Sequence, residues 1–319
     1  MPDQPYPVEL EAPDITPYRV GNTGVDYVAT FESGRSGPHV MLSALVHGNE
    51  ICGAIALATL LRDGVRPLRG RLTLAFVNVA AYETFDPQDP GASRFIEEDF
   101  NRLWSPGVLG GRRDSVELRR ARALRPVIDE VDVLLDIHSM QHATVPLMMA
   151  GPLPKGRALA RELGAPEIVV SDTGHAAGVR LRDYGGFGRA ERPKNALLIE
   201  CGQHWAAQSA TVAIETALRF LRVMGVVAPE VAAPYLAGAT PTAQRFIEVT
   251  GPVTIETDEF HFTEDFRGLE VIARAGTVIG HDGDRPIATP YDDCVLVMPS
   301  RRLRRGESAV RFGRFVASP

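Results

Sequence analysis

The feature that most constrains the fold is a regular alternation of strand-like and helix-like segments between residues 39 and 226. Nearly continuous apolar runs predict strands at 39–46, 71–80, 131–139, 166–172 and 195–202. Segments of helical periodicity predict helices at 49–64, 115–131, 155–164 and 211–226. Apolar strands separated by helices are typical of a sheet covered on both faces. The sequence therefore predicts an α/β fold with a mixed, mainly parallel sheet covered by helices.

The pattern changes near residue 227, where the Pro- and Ala-rich stretch VAPEVAAPYLAG is predicted to be a linker. Beyond it, helical periodicity gives way to short strand-like runs broken by Gly, Pro and Asp. We therefore predict a catalytic domain over residues 1–228, whose segment 1–38 is an N-terminal arm or edge strand. Residues 229–319 are predicted to form a small C-terminal all-β sandwich domain that shapes the entrance to a functional site in the first domain.

Composition argues against several classes of function. The formal net charge of −6 is unfavourable for binding nucleic acid or an anionic membrane surface. The three cysteines contain no C-x-x-C pair, which argues against a disulfide framework or a thiolate zinc site. No apolar run approaches the ~20 residues of a membrane span, and the N-terminus lacks the pattern of a signal peptide. A cytoplasmic protein is expected; the sequence leaves the oligomeric state open, a homo-oligomer included.

Three polar residues follow the carboxyl ends of predicted buried strands. His47 comes after the first strand, His138 ends the third, and Glu200 ends the fifth. In open α/β sheets, ligands bind at this edge. Taken singly, each has a simpler explanation: His138 as a hydrogen-bonded core histidine, and Glu200 as a buried ion-pair partner. Their common position favours a shared functional site.

The stretch LVHGNE (45–50) places His47 and Glu50 three residues apart, between a strand and a helix. A catalytic zinc site requires three ligands of His or carboxylate type and an open position. We predict His47, Glu50 and His138 as these ligands, with Asp136 orienting the His138 imidazole from behind. The alternative for Glu50 alone is a favourable charge at a helix N-terminus.

The loop SRFIEEDFNRLW (93–104) adds Arg94, Asn101 and Arg102. Arginine suits bidentate binding of a carboxylate and stabilisation of an oxyanion. The alternative is a solvated loop with surface ion pairs. The net formal charge of the proposed site is positive when zinc, the two glutamates, Asp136 and the two arginines are counted. A positive site predicts an anionic substrate or product. A second loop, 178–193, offers Arg180, Arg182 and Tyr184 as substrate contacts, or else is a flexible, solvated, glycine-rich segment.

The sequence contains, in this order, the motifs HGNE, R-x6-NR (in the loop that ends DFNRLW), DIHS and LLIECG. Together they resemble the motifs of the succinylglutamate desuccinylase/aspartoacylase family, which belongs to the zinc carboxypeptidase-like hydrolases. The resemblance spans residues 47–200. It implies a carboxypeptidase-like core and one zinc ion per chain, held by His47, Glu50 and His138. It also implies Glu200 as the acid/base, Arg94 as the group that polarises the scissile carbonyl, and Asn101 with Arg102 as the substrate carboxylate site.

The function implied is hydrolysis of an N-acyl amino acid, a small anionic amide. Two alternatives stay open: a metallocarboxypeptidase acting on short peptides, and a metal-binding module without catalytic activity. A hydrolase that uses Cys201 and His204 as a thiol–imidazole pair is a more distant alternative.

Overall fold

A computed structural model describes residues 6–174, 177–236 and 243–318. Its strands are β1 (Val28–Glu32), β2 (His39–Ala44), β3 (Arg71–Phe76), β4 (Val133–Met140), β5 (Leu147–Met149), β6 (Ile168–Ser171), β7 (Asn195–Gln203), β8 (Arg245–Thr254), β9 (Phe260–Phe262), β10 (Val271–Ile272), β11 (Val278–Asp282), β12 (Arg285–Ala288), β13 (Cys294–Val297) and β14 (Ser308–Val316). Its α-helices are α1 (Ile51–Arg62), α2 (Val79–Tyr82), α3 (Pro106–Leu109), α4 (Val116–Glu130), α5 (Pro154–Leu163), α6 (Ala207–Val223) and α7 (Pro229–Leu236).

The large sheet has the strand order β1-β3-β2-β4-β7-β5-β6-β8-β14-β13-β10. Strands β3, β2, β4 and β7 are mutually parallel, whereas β1 pairs antiparallel with β3 at the edge. Helices α1 and α6 pack together against these strands, and their apolar faces form the main core. The predicted α/β class, with a mixed sheet whose central strands are mainly parallel, is confirmed.

Local sequence signals place several helix ends as predicted. Ser115 caps α4 by accepting a hydrogen bond from the Leu118 backbone N–H at 3.0 Å. Helix α5 ends at Gly164, whose φ of 68° is the left-handed conformation that glycine adopts at little cost. The predicted strand 71–80 is too long, because its last residues turn into α2. Helix α6 begins four residues earlier than predicted.

Strand register brings the polar residues to one edge. In the parallel pair β4–β7, His138 lies beside Glu200, and in the pair β2–β4, Ser43 lies beside Asp136. His47 lies in the short connection between β2 and α1. Gly48 allows this connection to approach the Ala81–Tyr82 backbone, since an added Cβ would lie 2.4 Å from it. These polar residues therefore share the carboxyl edge of the sheet, as predicted.

The C-terminal β region, defined as residues 245–318, extends the sheet of the N-terminal region. Strand β8 runs parallel to β6, and β14, β13 and β10 follow it. Strands β12, β11 and β9 form a separate three-stranded sheet. The stretch predicted as a linker contains α7 over Pro229–Leu236, and its last residues, 237–238, lie outside the described part. None of the helices over the described residues is both long and apolar enough to cross a membrane.

Candidate metal centre and active site

Two imidazoles lie on either side of the Glu50 carboxylate. His47 Nδ1 lies 2.7 Å from Glu50 Oε1, and His138 Nδ1 lies 2.9 Å from Glu50 Oε2. All three side chains are buried. One potential ligand atom from each lies within 4.8 Å of the others. The structure therefore brings the three predicted metal ligands together, with their donor atoms converging.

A second carboxylate supports each imidazole from behind. Asp136 Oδ2 lies 2.9 Å from His138 Nε2 and is itself fixed by the Ser43 hydroxyl, which donates to Oδ1 at 2.6 Å. Asp99 Oδ1 lies 3.0 Å from His47 Nε2. Such a carboxylate selects the imidazole tautomer whose other nitrogen binds a metal. Asp136 was predicted in this position, whereas Asp99 was missed, although it lies inside the DFNR motif.

This arrangement fits a divalent cation. Burial alone would raise the pKa of Glu50, but His47 and His138 outweigh it and hold that pKa well below its usual range. Burial would lower the pKa of His138, but Asp136 and Glu50 raise it well above the ordinary value. Three carboxylates around two imidazoles thus favour positive charge at this position. His₂Glu is a ligand set found in catalytic zinc sites.

Glu200 is a buried carboxyl group next to this cluster. Among the described residues, its Oε2 atom has no hydrogen-bond partner. Burial raises the pKa of Glu200 to about 8, and the nearby His138 only partly opposes this. A carboxyl group with a pKa near neutrality can both accept and deliver a proton. The predicted acid/base residue therefore has an environment that suits that role.

Arg94 joins the loop 93–104 to the ligand cluster. Its guanidinium lies 3.4 Å from Glu50 Oε1, 3.3 Å from Asp99 Oδ2 and 2.9 Å from His47 Nε2. The loop is tied to the β2–α1 connection, because the Gly48 backbone N–H donates to the Arg94 carbonyl at 3.1 Å. The site thus holds a cation beside the three candidate metal ligands.

Asn101 and Arg102 follow in the same loop, in the short 3₁₀ helix Phe100–Arg102. Asn101 Oδ1 accepts a hydrogen bond from the Leu181 backbone N–H at 2.9 Å, so its NH₂ group is the part that can contact a ligand. Arg102 Nη1 donates to the Asn101 carbonyl at 2.8 Å, and Nη2 lies 3.9 Å from Asp99. Burial lowers the pKa of Arg102, and the negative charge of Asp99 offsets part of this decrease.

A cavity of about 440 Å³ unites these groups. It is lined by all seven residues predicted from the sequence to form the site, namely His47, Glu50, Arg94, Asn101, Arg102, His138 and Glu200. The C-terminal β region contributes a further wall, with residues between Met298 and Ser308 and with Arg267 and Arg311. That this region shapes the entrance of the site was predicted, but the individual residues were not, because the contacts join residues about 200 positions apart.

The loop 178–193 is ordered by buried contacts in its first half, whereas its second half, residues 188–193, is exposed. Arg180 and Arg182 are both buried. Arg180 donates to both oxygens of Asp172, at 2.7 and 3.0 Å, and to Asp183 at 2.6 Å. Arg180 lines the cavity, while the Tyr184 hydroxyl donates to Asp129 at 2.6 Å.

The structure argues against a thiol hydrolase. Burial raises the pKa of the Cys201 thiol well above its ordinary value, and its hydrogen-bonding neighbour is Cys52. The His204 Nδ1 atom pairs instead with the Ser139 hydroxyl at 2.8 Å, and burial lowers the pKa of His204 to about 3. The chain therefore lacks an activated thiolate at Cys201.

Comparison with known proteins agrees with the motifs. The model of the succinylglutamate desuccinylase/aspartoacylase catalytic domain matches residues 36–224. A succinylglutamate desuccinylase from Vibrio cholerae serotype O1 is 22% identical over 306 residues, which cover 90% of this chain and 83% of that protein.

Solved structures share the fold at low identity. The crystal structure of succinylglutamate desuccinylase from Vibrio cholerae has a TM-score of 0.67 at 18% identity, covering 91% of this chain and 86% of that one. The product-bound ectoine utilization protein EutE (DoeB) from Ruegeria pomeroyi has a TM-score of 0.59 at 17% identity, covering 92% of each chain. Since the family model matches more than half of the sequence, the chain belongs to the succinylglutamate desuccinylase/aspartoacylase family.

Proposed function

We propose that this protein is a zinc-dependent amidohydrolase that cleaves the amide bond of a small, carboxylate-bearing N-acyl amino acid. The observation that supports it most is that the His47–Glu50–His138 cluster and the Glu200 carboxyl group, whose Oε2 atom has no hydrogen-bond partner among the described residues, line one cavity. The relatives named succinylglutamate desuccinylase act, by that name, on such an amide.

The ligand set would hold the metal through His47, Glu50 and His138. When bound there, zinc supplies a Lewis acid for the amide carbonyl and lowers the pKa of a water molecule. With Nδ1 of His47 directed to the metal, its Nε2 carries the proton and donates to Asp99.

Glu200 carries the proton transfers. Its carboxylate accepts a proton from the attacking water as the water oxygen bonds to the carbonyl carbon. The same group then gives that proton to the amide nitrogen as the C–N bond breaks, so that a carboxylic acid and a free amine leave. A dication in the neighbouring cluster would lower the raised pKa of Glu200, because positive charge favours the carboxylate.

The loop 93–104 binds and polarises the substrate. Arg94 donates to the carbonyl oxygen, whose negative charge grows as the tetrahedral intermediate forms. Asn101 and Arg102 bind the substrate carboxylate, which fixes the amide relative to Glu200. The cluster of cations in the cavity suits an anionic substrate.

The test is amine release from a panel of N-acyl amino acids by the zinc-loaded protein. We expect hydrolysis of at least one member, loss of activity on chelation, and recovery on adding zinc. Glu200→Gln should retain zinc and lose about 10²–10⁴-fold in kcat. Cleavage of short peptides in preference to the whole panel would instead identify a carboxypeptidase, and bound zinc without any hydrolysis would identify a non-catalytic metal-binding protein.

A further inference from the structure

His204 is a buried polar residue of the cavity to which the proposed reaction gives no role. It lines the cavity together with Glu50, Arg94 and Glu200. Its Nδ1 atom lies 2.8 Å from the Ser139 hydroxyl, whereas its Nε2 atom has no hydrogen-bond partner among the described residues. Since buried polar groups nearly always have a partner, this nitrogen indicates a contact that a bound ligand completes.

An irregularity in β7 places His204 at this position. Beyond the pair of His138 with Glu200, β7 has one more residue than β4 before the two strands pair again. The longer segment contains Gly202, whose φ of 103° is a conformation that glycine adopts readily. The His204 backbone N–H then donates to the Met140 carbonyl at 2.8 Å. A backbone bulge therefore determines where the imidazole lies.

The hydrogen bonds of Ser139 assign the proton on the imidazole. Among the described residues, His204 Nδ1 is the one hydrogen-bond partner of the Ser139 hydroxyl. If the hydroxyl donates to Nδ1, its hydrogen has an acceptor and Nε2 carries the imidazole proton. In the other tautomer, both the hydroxyl hydrogen and Nε2 would lack partners. The first arrangement leaves fewer buried groups unsatisfied, so Nε2–H is a donor without an acceptor in the protein.

The imidazole of His204 lies close to the metal ligands and to Arg94. Ser139, to which it is bonded, follows the ligand His138, and the Ser139 backbone N–H donates to Glu50 Oε2 at 3.2 Å. Burial lowers the pKa of His204 to about 3; Glu50 opposes this change, whereas Arg94 and other nearby cations add to it. The imidazole is therefore neutral at neutral pH, and a neutral imidazole can polarise a carbonyl group through its N–H.

We propose that His204 is a second hydrogen-bond donor, beside Arg94, to the carbonyl oxygen of the scissile amide. Its Nε2–H contacts this oxygen in the bound substrate and binds it more strongly as negative charge grows there. Arg94 supplies a positive charge, and His204 supplies a fixed dipole that keeps its proton throughout the reaction. The inference rests on the proposed function for the identity of the bond that is cleaved.

The experiment measures binding in the zinc-loaded Glu200→Gln protein, in which turnover does not interfere. Two amides, N-succinylglutamate and N-acetylaspartate, are each compared with a phosphinate analogue. In the analogue, a tetrahedral PO₂⁻ group replaces the reacting carbonyl, and CH₂ replaces the amide N–H. We expect the parent to bind the phosphinate about 10²-fold or more tightly than the amide in at least one pair, because its charged oxygens resemble the tetrahedral intermediate.

His204→Asn and His204→Gln form a matched pair of variants. The Gln side chain can place an N–H group near the position of Nε2, whereas the Asn amide reaches only the position of Nδ1. His204→Asn should reduce the preference for the phosphinate about 10- to 100-fold, the range expected for a lost hydrogen bond to a charged group. His204→Gln should reduce it about 3-fold at most. His261→Asn is the control, because His261 is exposed and does not line the cavity.

A parent that shows no preference for the phosphinate in either pair would overturn the inference. So would a preference that survives in His204→Asn. Equal losses in His204→Asn and His204→Gln, or a loss in His204→Gln alone, would also contradict it, because an N–H group at the position of Nε2 would then make no difference. Thermal unfolding and zinc content verify each variant.

Nitrogen NMR of the wild-type protein tests the same inference without a substitution. Long-range ¹H–¹⁵N spectra should show a proton on Nε2 of His204 and none on Nδ1 at neutral pH. The Nε2 proton should move downfield when a phosphinate binds. A proton on Nδ1, or an Nε2 signal that neither phosphinate changes, would refute donation from Nε2. Because these readouts are binding and protonation, absence of hydrolysis in the wild type would refute the proposed function separately.

Discussion

Two buried clusters of charged side chains border the same cavity and have opposite charge balance. In the Glu50 cluster, carboxylates outnumber guanidinium groups; its members are His47, Glu50, Arg94, Asp99, Arg102, Asp136 and His138. In the Asp172 cluster, guanidinium groups outnumber the carboxylates; its members are Asp172, Arg180, Arg182, Asp183 and Arg311.

The difference lies in which atoms converge. In the Glu50 cluster, two imidazole nitrogens meet one carboxylate, and a metal ion can satisfy all three donors at once. In the Asp172 cluster, Arg180 already donates to both oxygens of Asp172. Burial and charge alone therefore do not identify a metal site; the direction in which lone pairs point does. We assign the first cluster to metal binding and the second to structure.

The sharpest test of this assignment is Glu50→Gln. The amide keeps the shape of the side chain but loses the negative charge between the two imidazoles. We expect zinc content to fall from about one ion per chain towards zero, and amide hydrolysis to fall to background. Glu83→Gln, an exposed residue outside the cavity, is the control. Full zinc occupancy in Glu50→Gln would show that the ligand set is wrong.

The Asp172 cluster should respond in the opposite way. Asp172→Ala leaves the buried guanidinium of Arg180 without its bidentate partner, which should lower the free energy of unfolding by about 3–5 kcal/mol. Denaturant titration measures this loss. Zinc content of the folded variant should stay the same as in the wild type. A folded Asp172→Ala protein without zinc would mean that the two clusters act as one.

The sequence identified the Glu50 cluster largely because its residues follow the ends of apolar strands. Strand ends can be located from local patterns, and parallel strands bring their carboxyl ends to the same edge. His47, His138 and Glu200 were found in this way. Asp99 was missed, because only the cations and the amide of its loop were considered, although a carboxylate two residues before Asn101 was visible.

The Asp172 cluster and the C-terminal wall of the cavity were less accessible to sequence reasoning. The pairing of β8 with β6 joins segments about 80 residues apart, and no local pattern specifies it. The glycines around Arg180 suggested a mobile loop, whereas an ion pair with Asp172, eight residues earlier, holds Arg180 in place. Residues whose position depends on distant contacts, such as Arg311 beside Asp172, could be located only in the folded chain.

The cavity side of the Glu50 cluster can be tested at Arg94. Arg94→Ala should lower kcat about 10²–10³-fold, because the guanidinium is proposed to stabilise charge that develops only in the transition state. Arg102→Ala should instead raise KM about 10-fold or more, because it binds a carboxylate present throughout the reaction. Steady-state kinetics separate these effects. If both variants raised KM to the same extent and left kcat unchanged, the assigned roles would be contradicted.

The smallest expected effect concerns the aspartates behind the imidazoles. Asp99→Asn and Asp136→Asn keep an oxygen that can accept a hydrogen bond from Nε2 but remove the charge that supports each ligand. Each should weaken zinc affinity about 10- to 100-fold, measured by competition with a chelator. Asp172→Asn is the control, because it removes a carboxylate that is as buried as that of Asp136 and contacts only arginines in its own cluster. If Asp172→Asn weakened zinc binding as much as Asp99→Asn, the effect would come from the general field of the cavity, and the separation of the two clusters would fail. If only the two aspartates that contact imidazoles matter, support of the ligands is local, and Asp99 is as much a part of the metal centre as Asp136.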